Sequence, residues 1–166
     1  PQKQLKNPQG ISSVQHMYEG GVTFSKKYGL HYLLDGYISE NSRSHYPLAY
    51  LFCAHQTLSL DEARKLAPSL AKDILAHLQM SPDVSRIIQR CDQAKEEVYS
   101  GIAEPRHVTY RISFWDEYMN RVEEPYIAQI HVENGVCKYF IADEGQRLVL
   151  LHTETYDEAM RFLEGI

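Results

Sequence analysis

Cys53 and His55, two residues apart in LFCAHQ, are the side chains in this sequence best suited to chemistry. On a β-strand, residues i and i+2 project to the same face. An upstream stretch of similar type, YGLHYLLDGYI, carries His31. If the two stretches pair as a hairpin with Leu34 opposite Phe52, His31 stands opposite His55 and Leu33 opposite Cys53. Paired side chains then have Cβ atoms about 5 Å apart. Two imidazoles and a thiolate converging on one face would suit a zinc ion. Cys53 with a histidine base is also the minimum of a thiol enzyme, but catalytic thiolates are stabilised at helix starts and strained turns rather than in mid-strand. Leu33, Ala49 and Leu51 fall on the same face, and such an apolar mixture is what packing asks for. The expectation is a half-buried sheet face with no catalytic residue and no metal ligand. His31, Cys53 and His55 are the candidates for the opposing reading, a metal-dependent or thiol enzyme.

Other groups carry less. Asp116-Glu117 and Glu123-Glu124 flank a loop around Met119-Asn120-Arg121. Acidic loops of this kind bind Ca²⁺ when carboxylate and carbonyl oxygens converge, but no EF-hand spacing is present, and a solvated turn is expected. Trp115, Tyr118, Tyr126, Tyr139 and Tyr156 populate the same half of the chain. They read either as an aromatic contact patch or as core and cross-strand pairs. GxSxG, GxGxxG, P-loop and HExxH patterns are absent. Cys53, Cys91 and Cys137 are odd in number, which excludes a closed disulfide framework while leaving room for one bridged pair in an oxidising compartment, and the absence of a CxxC argues against a zinc ribbon or thioredoxin motif; buried free cysteine is the expectation. No cofactor is expected.

The 166 residues suffice for one domain with a real core, and 43% apolar with 23% charged residues is a globular composition. A net charge of −5 with no basic patch excludes a long nucleic-acid footprint. No apolar run approaches the roughly 20 residues of a membrane helix. Twelve tyrosines against five phenylalanines suit half-buried strand faces and binding surfaces.

Residues 1–22 hold four glutamines, three glycines and two prolines, and read as a polar leader of the disordered type ahead of a single domain at 23–166. The stretches 28–38 and 47–56 read as a hairpin around SENSRSH. Ser59-Leu60-Asp61-Glu62 is a capping box, and Ala63, Leu66, Ala67, Leu70, Ile74 and Leu78 follow at helical spacing. Pro68 should kink or split that helix. Ser81-Pro82 restarts a helix whose stripe runs Val84, Ile87, Ile88, Cys91 and Val98. The period then changes to two over 108–114, 127–133, 136–142 and 147–153, with Asn134-Gly135 marking a hairpin and YDEAMRFL closing as a short helix. The expected fold class is α+β: a mostly antiparallel sheet of about six strands, two central helices on one face and a short C-terminal helix.

KKYGLHYLLDGYI, LSLDEARKLAPSLAKDILAHL, HVTYRISFWDEY, YIAQIHVENGVCKYFIAD and TETYDEAM together resemble a family of small α+β proteins of host-associated Gram-negative bacteria, often described as exported or lipoprotein-like. The likeness spans residues 26–160 and rests on the YGL start, the LSxxEAR helix opening and the Y-DEA ending. The family's first strand often runs into a glycine-rich stretch, where this chain has LLDGYISENSRS. No activity accompanies the family, so it lends no catalytic residue. It implies an exported, envelope-associated position with the polar leader as tether, against a cytoplasmic alternative. The functional expectation is a non-enzymatic envelope or secreted domain that binds a protein or other partner through a tyrosine-rich surface.

Overall fold

The computed structural model describes residues 9–33 and 48–166. The chain runs α1 (Gln9–Tyr28), β1 (His31–Leu33), β2 (Ala49–Ala54), α2 (Leu60–Gln79), α3 (Pro82–Ala94), a 3-10 turn (Pro105–His107), β3 (Thr109–Phe114), β4 (Gln129–Glu133), β5 (Val136–Ala142), β6 (Leu148–Thr155) and α4 (Tyr156–Glu164). The six strands form one sheet in chain order. Every neighbouring pair is antiparallel except β2 and β3, which run parallel across the α2–α3 connection. The expected α+β fold is the fold observed, with a six-stranded, mostly antiparallel sheet and a short C-terminal helix.

Local chemistry sets the element ends. At α2 the Glu62 amide donates to Ser59 Oγ (3.1 Å) while the Glu62 carboxylate accepts the Ser59 amide (2.9 Å), the reciprocal box that the spacing predicts. Ser81 Oγ accepts the Val84 amide, with Pro82 in the first turn. A second box, Thr155 with Glu158, starts α4. Asn134 and Gly135 both adopt positive φ (51° and 76°) between β4 and β5, as a tight primed hairpin turn requires.

Alternation along the strands puts Tyr50, Phe52, Tyr110, Ile112, Ile130, Val132, Cys137 and Tyr139 on one face, all buried. Ala67, Leu70, Ile74 and Leu78 of α2 and Val84 and Ile88 of α3 close over them. Each large side chain removed from water stabilises the fold by about 1.5–3 kcal/mol. Several polar groups inside this layer are paired, although the Tyr50 hydroxyl has no hydrogen-bond partner among the described residues. Tyr110 donates to Ala67 O (2.8 Å). Arg64 grips both oxygens of buried Glu154, which also accepts the Tyr139 hydroxyl at 2.8 Å. Buried Asp92 receives Arg106 Nη2 and His107 Nε2, each at 3.0 Å. The Glu104 amide donates to His107 Nδ1 (2.9 Å), so Nε2 carries the proton that Asp92 accepts. Burial lowers the His107 pKa and outweighs the pull of Asp92.

Four expectations need correction. Residues 9–22 are helical, the greater part of α1, and Met17 and Phe24 of that helix are buried. The Gly20-Gly21 pair reads as a loop signal, but it serves close approach. A Cβ at Gly20 would lie 2.4 Å from Tyr50 Oη, and one at Gly21 would lie 2.6 Å from the Tyr32 ring. Beside Gly20, His16 and His77 stack at 3.8 Å and 5°, each ring's Nε2 donating to the other's backbone carbonyl (2.6 and 2.7 Å). Second, α2 is not split at Pro68. It continues to Gln79 with Pro68 buried, because burial of one continuous apolar face outweighs one missing backbone bond. Third, α3 ends at Ala94, where Glu96 turns to a φ of 60°, and Val98 is exposed. Fourth, the β1–β2 register differs by two residues: His31 pairs with Cys53, Tyr32 with Phe52 and Leu33 with Leu51. A shift of two preserves the face but moves the partner. Residues 34–38 and the loop SENSRSH lie outside the described residues.

Candidate binding cleft

The parallel pairing of β2 with β3 aligns their carboxyl ends, Ala54 beside Phe114. Such strand ends are where open α/β sheets bind ligands, because the loops that leave them diverge. Here one loop, residues 55–59, leads to the capped start of α2. The other, residues 115–128, leads to β4. Between them lies a cleft of about 590 Å³ lined by His55, Gln56, Thr57, Trp115, Asp116, Glu117, Met119 and Val122.

Backbone bonds hold the walls together. The Trp115 amide donates to Ala54 O and the Ile127 amide to Leu58 O, both at 2.9 Å. His55 Nδ1 lies 3.1 Å from Trp115 O. A carbonyl only accepts, so Nδ1 carries the proton, and in the neutral ring Nε2 is the remaining acceptor. Asp116 folds its own loop by accepting the amides of Tyr118 (2.8 Å) and Asn120 (2.9 Å) on one carboxylate oxygen. Arg121 covers the Trp115 ring at 5.6 Å and donates to Gln146 O, while its amide donates to Gln146 Oε1. These bonds tie the loop to the β5–β6 turn and preorganise the wall.

Among the described residues the lining holds two carboxylates and no lysine or arginine, beside the apolar surfaces of Trp115, Met119 and Val122. Around it the loop exposes Tyr118, Met119 and Tyr126, and its Glu117, Glu123 and Glu124 are exposed as well. This arrangement suits a cation on an apolar stem, with carboxylates for the charge and flat surface for the methylenes.

The sequence candidates fall beside this cleft. His31, Cys53 and His55 do share the face of the sheet opposite the described helices, and the rings of His31 and His55 meet edge to face at 6.1 Å. Among the described residues, no group of three His, Cys, Asp or Glu is placed to hold a metal ion. Burial raises the Cys53 thiol above its usual value, the opposite of what a nucleophile needs. All three cysteines are free. The aromatic set divides: Tyr139 is core, Tyr156 is half-buried against it, Trp115 lines the cleft, and Tyr118 and Tyr126 are exposed on the 115–128 loop. Sequence reasoning considered the acidic and aromatic residues separately, and it did not bring His55 to them. The available signal was the spacing. Two helices between adjacent strands make a crossover long enough for parallel pairing, which aligns the two strand ends. No described helix is long and apolar enough to cross a membrane. Compared with protein-family models, with curated proteins and with solved structures, the chain gives no match in any of the three.

Proposed function

We propose that the protein is a non-enzymatic binding domain that takes a lysine- or arginine-bearing segment of a protein partner into the cleft at the carboxyl ends of β2 and β3. The reading rests on one observation: Asp116 and Glu117 stand in the lining with Trp115, Met119 and Val122, with no lysine or arginine there among the described residues. The tyrosine-rich surface becomes the rim, where Tyr118 and Tyr126 give rigid contact area around the charged end. Attraction would come from the two lining carboxylates and from the acidic balance of the whole chain, −5.

The chain has a single tryptophan, and it lines the cleft, so Trp115 emission reports occupancy directly. A lysine-rich peptide is expected to change that emission saturably, and its glutamate counterpart to leave it unchanged. Glu117→Gln and Asp116→Asn, the latter keeping an oxygen for the loop amides, should each weaken binding, as should added salt. Equal response to both peptides, or full affinity in both variants, rules the reading out.

A further inference from the structure

One row of side chains crosses the whole sheet on the face opposite the described helices. Leu33 pairs with Leu51, Leu51 with Arg111, Arg111 with His131, His131 with Lys138, and Lys138 with Thr153. Adjacent strands lie about 5 Å apart, so the Arg111 and Lys138 backbones are about 10 Å from each other with His131 between them. Both cations are exposed and His131 is half-buried, while Tyr110, Ile112, Cys137 and Tyr139 beside them point the other way into the core. A sheet face steadied by its own charges sets a carboxylate across from a cation. Here the cross-strand neighbours of the two cations are leucine, imidazole and threonine. Among the described residues neither Arg111 nor Lys138 makes an ion pair or a side-chain hydrogen bond. Glu133 borders the row, 3.9 Å from His131 Nε2. Ser113 and Gln129, opposed to each other in the next row, add neutral donors.

We infer that this face docks an acidic segment of a protein partner, laid across β3, β4 and β5 with its carboxylates on Arg111 and Lys138. Charge complementarity selects the occupant. Arg111 offers a carboxylate its planar fork, and Lys138 offers a point charge. The imidazole between them is a further donor. Leu33, 41% exposed, and Leu51 continue the row as aliphatic surface, which seats apolar side chains next to the carboxylates. A second copy docked by the same face about a two-fold axis would bring both sets of cations into one contact. A single-stranded nucleic acid stacks its bases on aromatic rings, and the row holds no phenylalanine, tyrosine or tryptophan. The face is separate from the acidic cleft, and the two take segments of opposite charge, so each assignment stands or falls alone.

Fluorescence polarisation of a labelled glutamate–leucine peptide, titrated with the full chain, tests this. Saturable binding is expected, weakened by added salt. Arg111→Gln and Lys138→Gln remove exposed charges that hold no partner within the fold, so the far-UV spectrum should not change. Each should weaken binding by about two- to fivefold, and both together by about tenfold. The doubly substituted protein should keep the Trp115 emission response to a lysine-rich peptide, which reads the cleft alone. A native chain that binds no glutamate–leucine peptide saturably overturns the inference, and so does full affinity in the double variant. An oligouridylate bound more tightly than the peptide would make nucleic acid the occupant. A native dimer lost in the double variant would make the occupant a second copy. Either result also overturns it.

Discussion

Replacing Gly20 with alanine adds one methyl to the seam between α1, α2 and β2. On an isolated helix the change would stabilise by about 1 kcal/mol. In this protein the new Cβ would lie 2.4 Å from Tyr50 Oη and 2.6 Å from both Cδ2 and Nε2 of His77. Neither neighbour can swing aside. Tyr50 is fully buried, and the His77 ring is stacked on His16 with Nε2 donating to the His16 carbonyl. Overpacking of this kind costs about 1–3 kcal/mol, and displacing the Nε2–H bond costs about 1 kcal/mol more. The net expectation is destabilisation by about 1–3 kcal/mol, or roughly 2–12 °C in melting temperature. Urea unfolding followed by far-UV circular dichroism measures it. Tyr50→Phe supplies the cross-check. The Tyr50 hydroxyl is buried and has no hydrogen-bond partner among the described residues, so its removal alone should be neutral or mildly stabilising. It also removes the atom nearest the new methyl, so the double variant should recover part of the loss, a non-additivity expected only of residues in contact. A Gly20→Ala protein as stable as the native one, or two strictly additive substitutions, would refute the seating of α1 on α2 and β2.

Burial lowers the His77 pKa and outweighs the hydrogen bond to the His16 carbonyl, which raises it, and burial lowers that of His107. A depressed folded-state pKa gives stability that is complete above the unfolded value, about pH 6.5, and lost as pH falls through the folded value. The urea midpoint should therefore drop on acidification below about pH 6.5 and level off below the folded value. His77→Gln keeps a donor for the His16 carbonyl but cannot charge, and should flatten part of the drop; an unchanged slope would acquit His77. Arg64→Met strands the Glu154 carboxylate, 3% exposed in its side chain, and should cost about 3–5 kcal/mol, while Glu154→Gln, which keeps an acceptor for Tyr139, should cost clearly less in the same urea assay. Burial pushes the Cys137 thiol up to about 12, so alkylation at neutral pH should label it only as the chain unfolds. Rapid labelling of Cys137 in the native protein would show the β5 core face to be open.

What could be read in the sequence was local. Ser59 with Glu62, Ser81 with Pro82, and Asn134 with Gly135 each specify a backbone geometry within four residues, and each stands where its spacing puts it. Features set by long-range contact were not legible. Gly20 and Gly21 carry no side-chain information, and only Tyr50, His77 and Tyr32, distant in sequence, reveal why a helix tolerates them. The β1–β2 register could not be fixed from the two strand patterns alone, because a two-residue shift leaves every face unchanged. The cleft was hidden for a related reason: Trp115 and His55 are 60 residues apart and meet only because β2 and β3 run parallel.

The central claim is that partners enter at the carboxyl ends of β2 and β3. Amide chemical-shift mapping of the labelled protein, titrated with a lysine-rich peptide, tests it most directly. Saturable shifts are expected to concentrate at residues 55–57 and 115–126 and to be absent in a protein carrying both Asp116→Asn and Glu117→Gln. Shifts centred instead on His31 and Cys53, or spread evenly over the acidic surface without saturation, would contradict it.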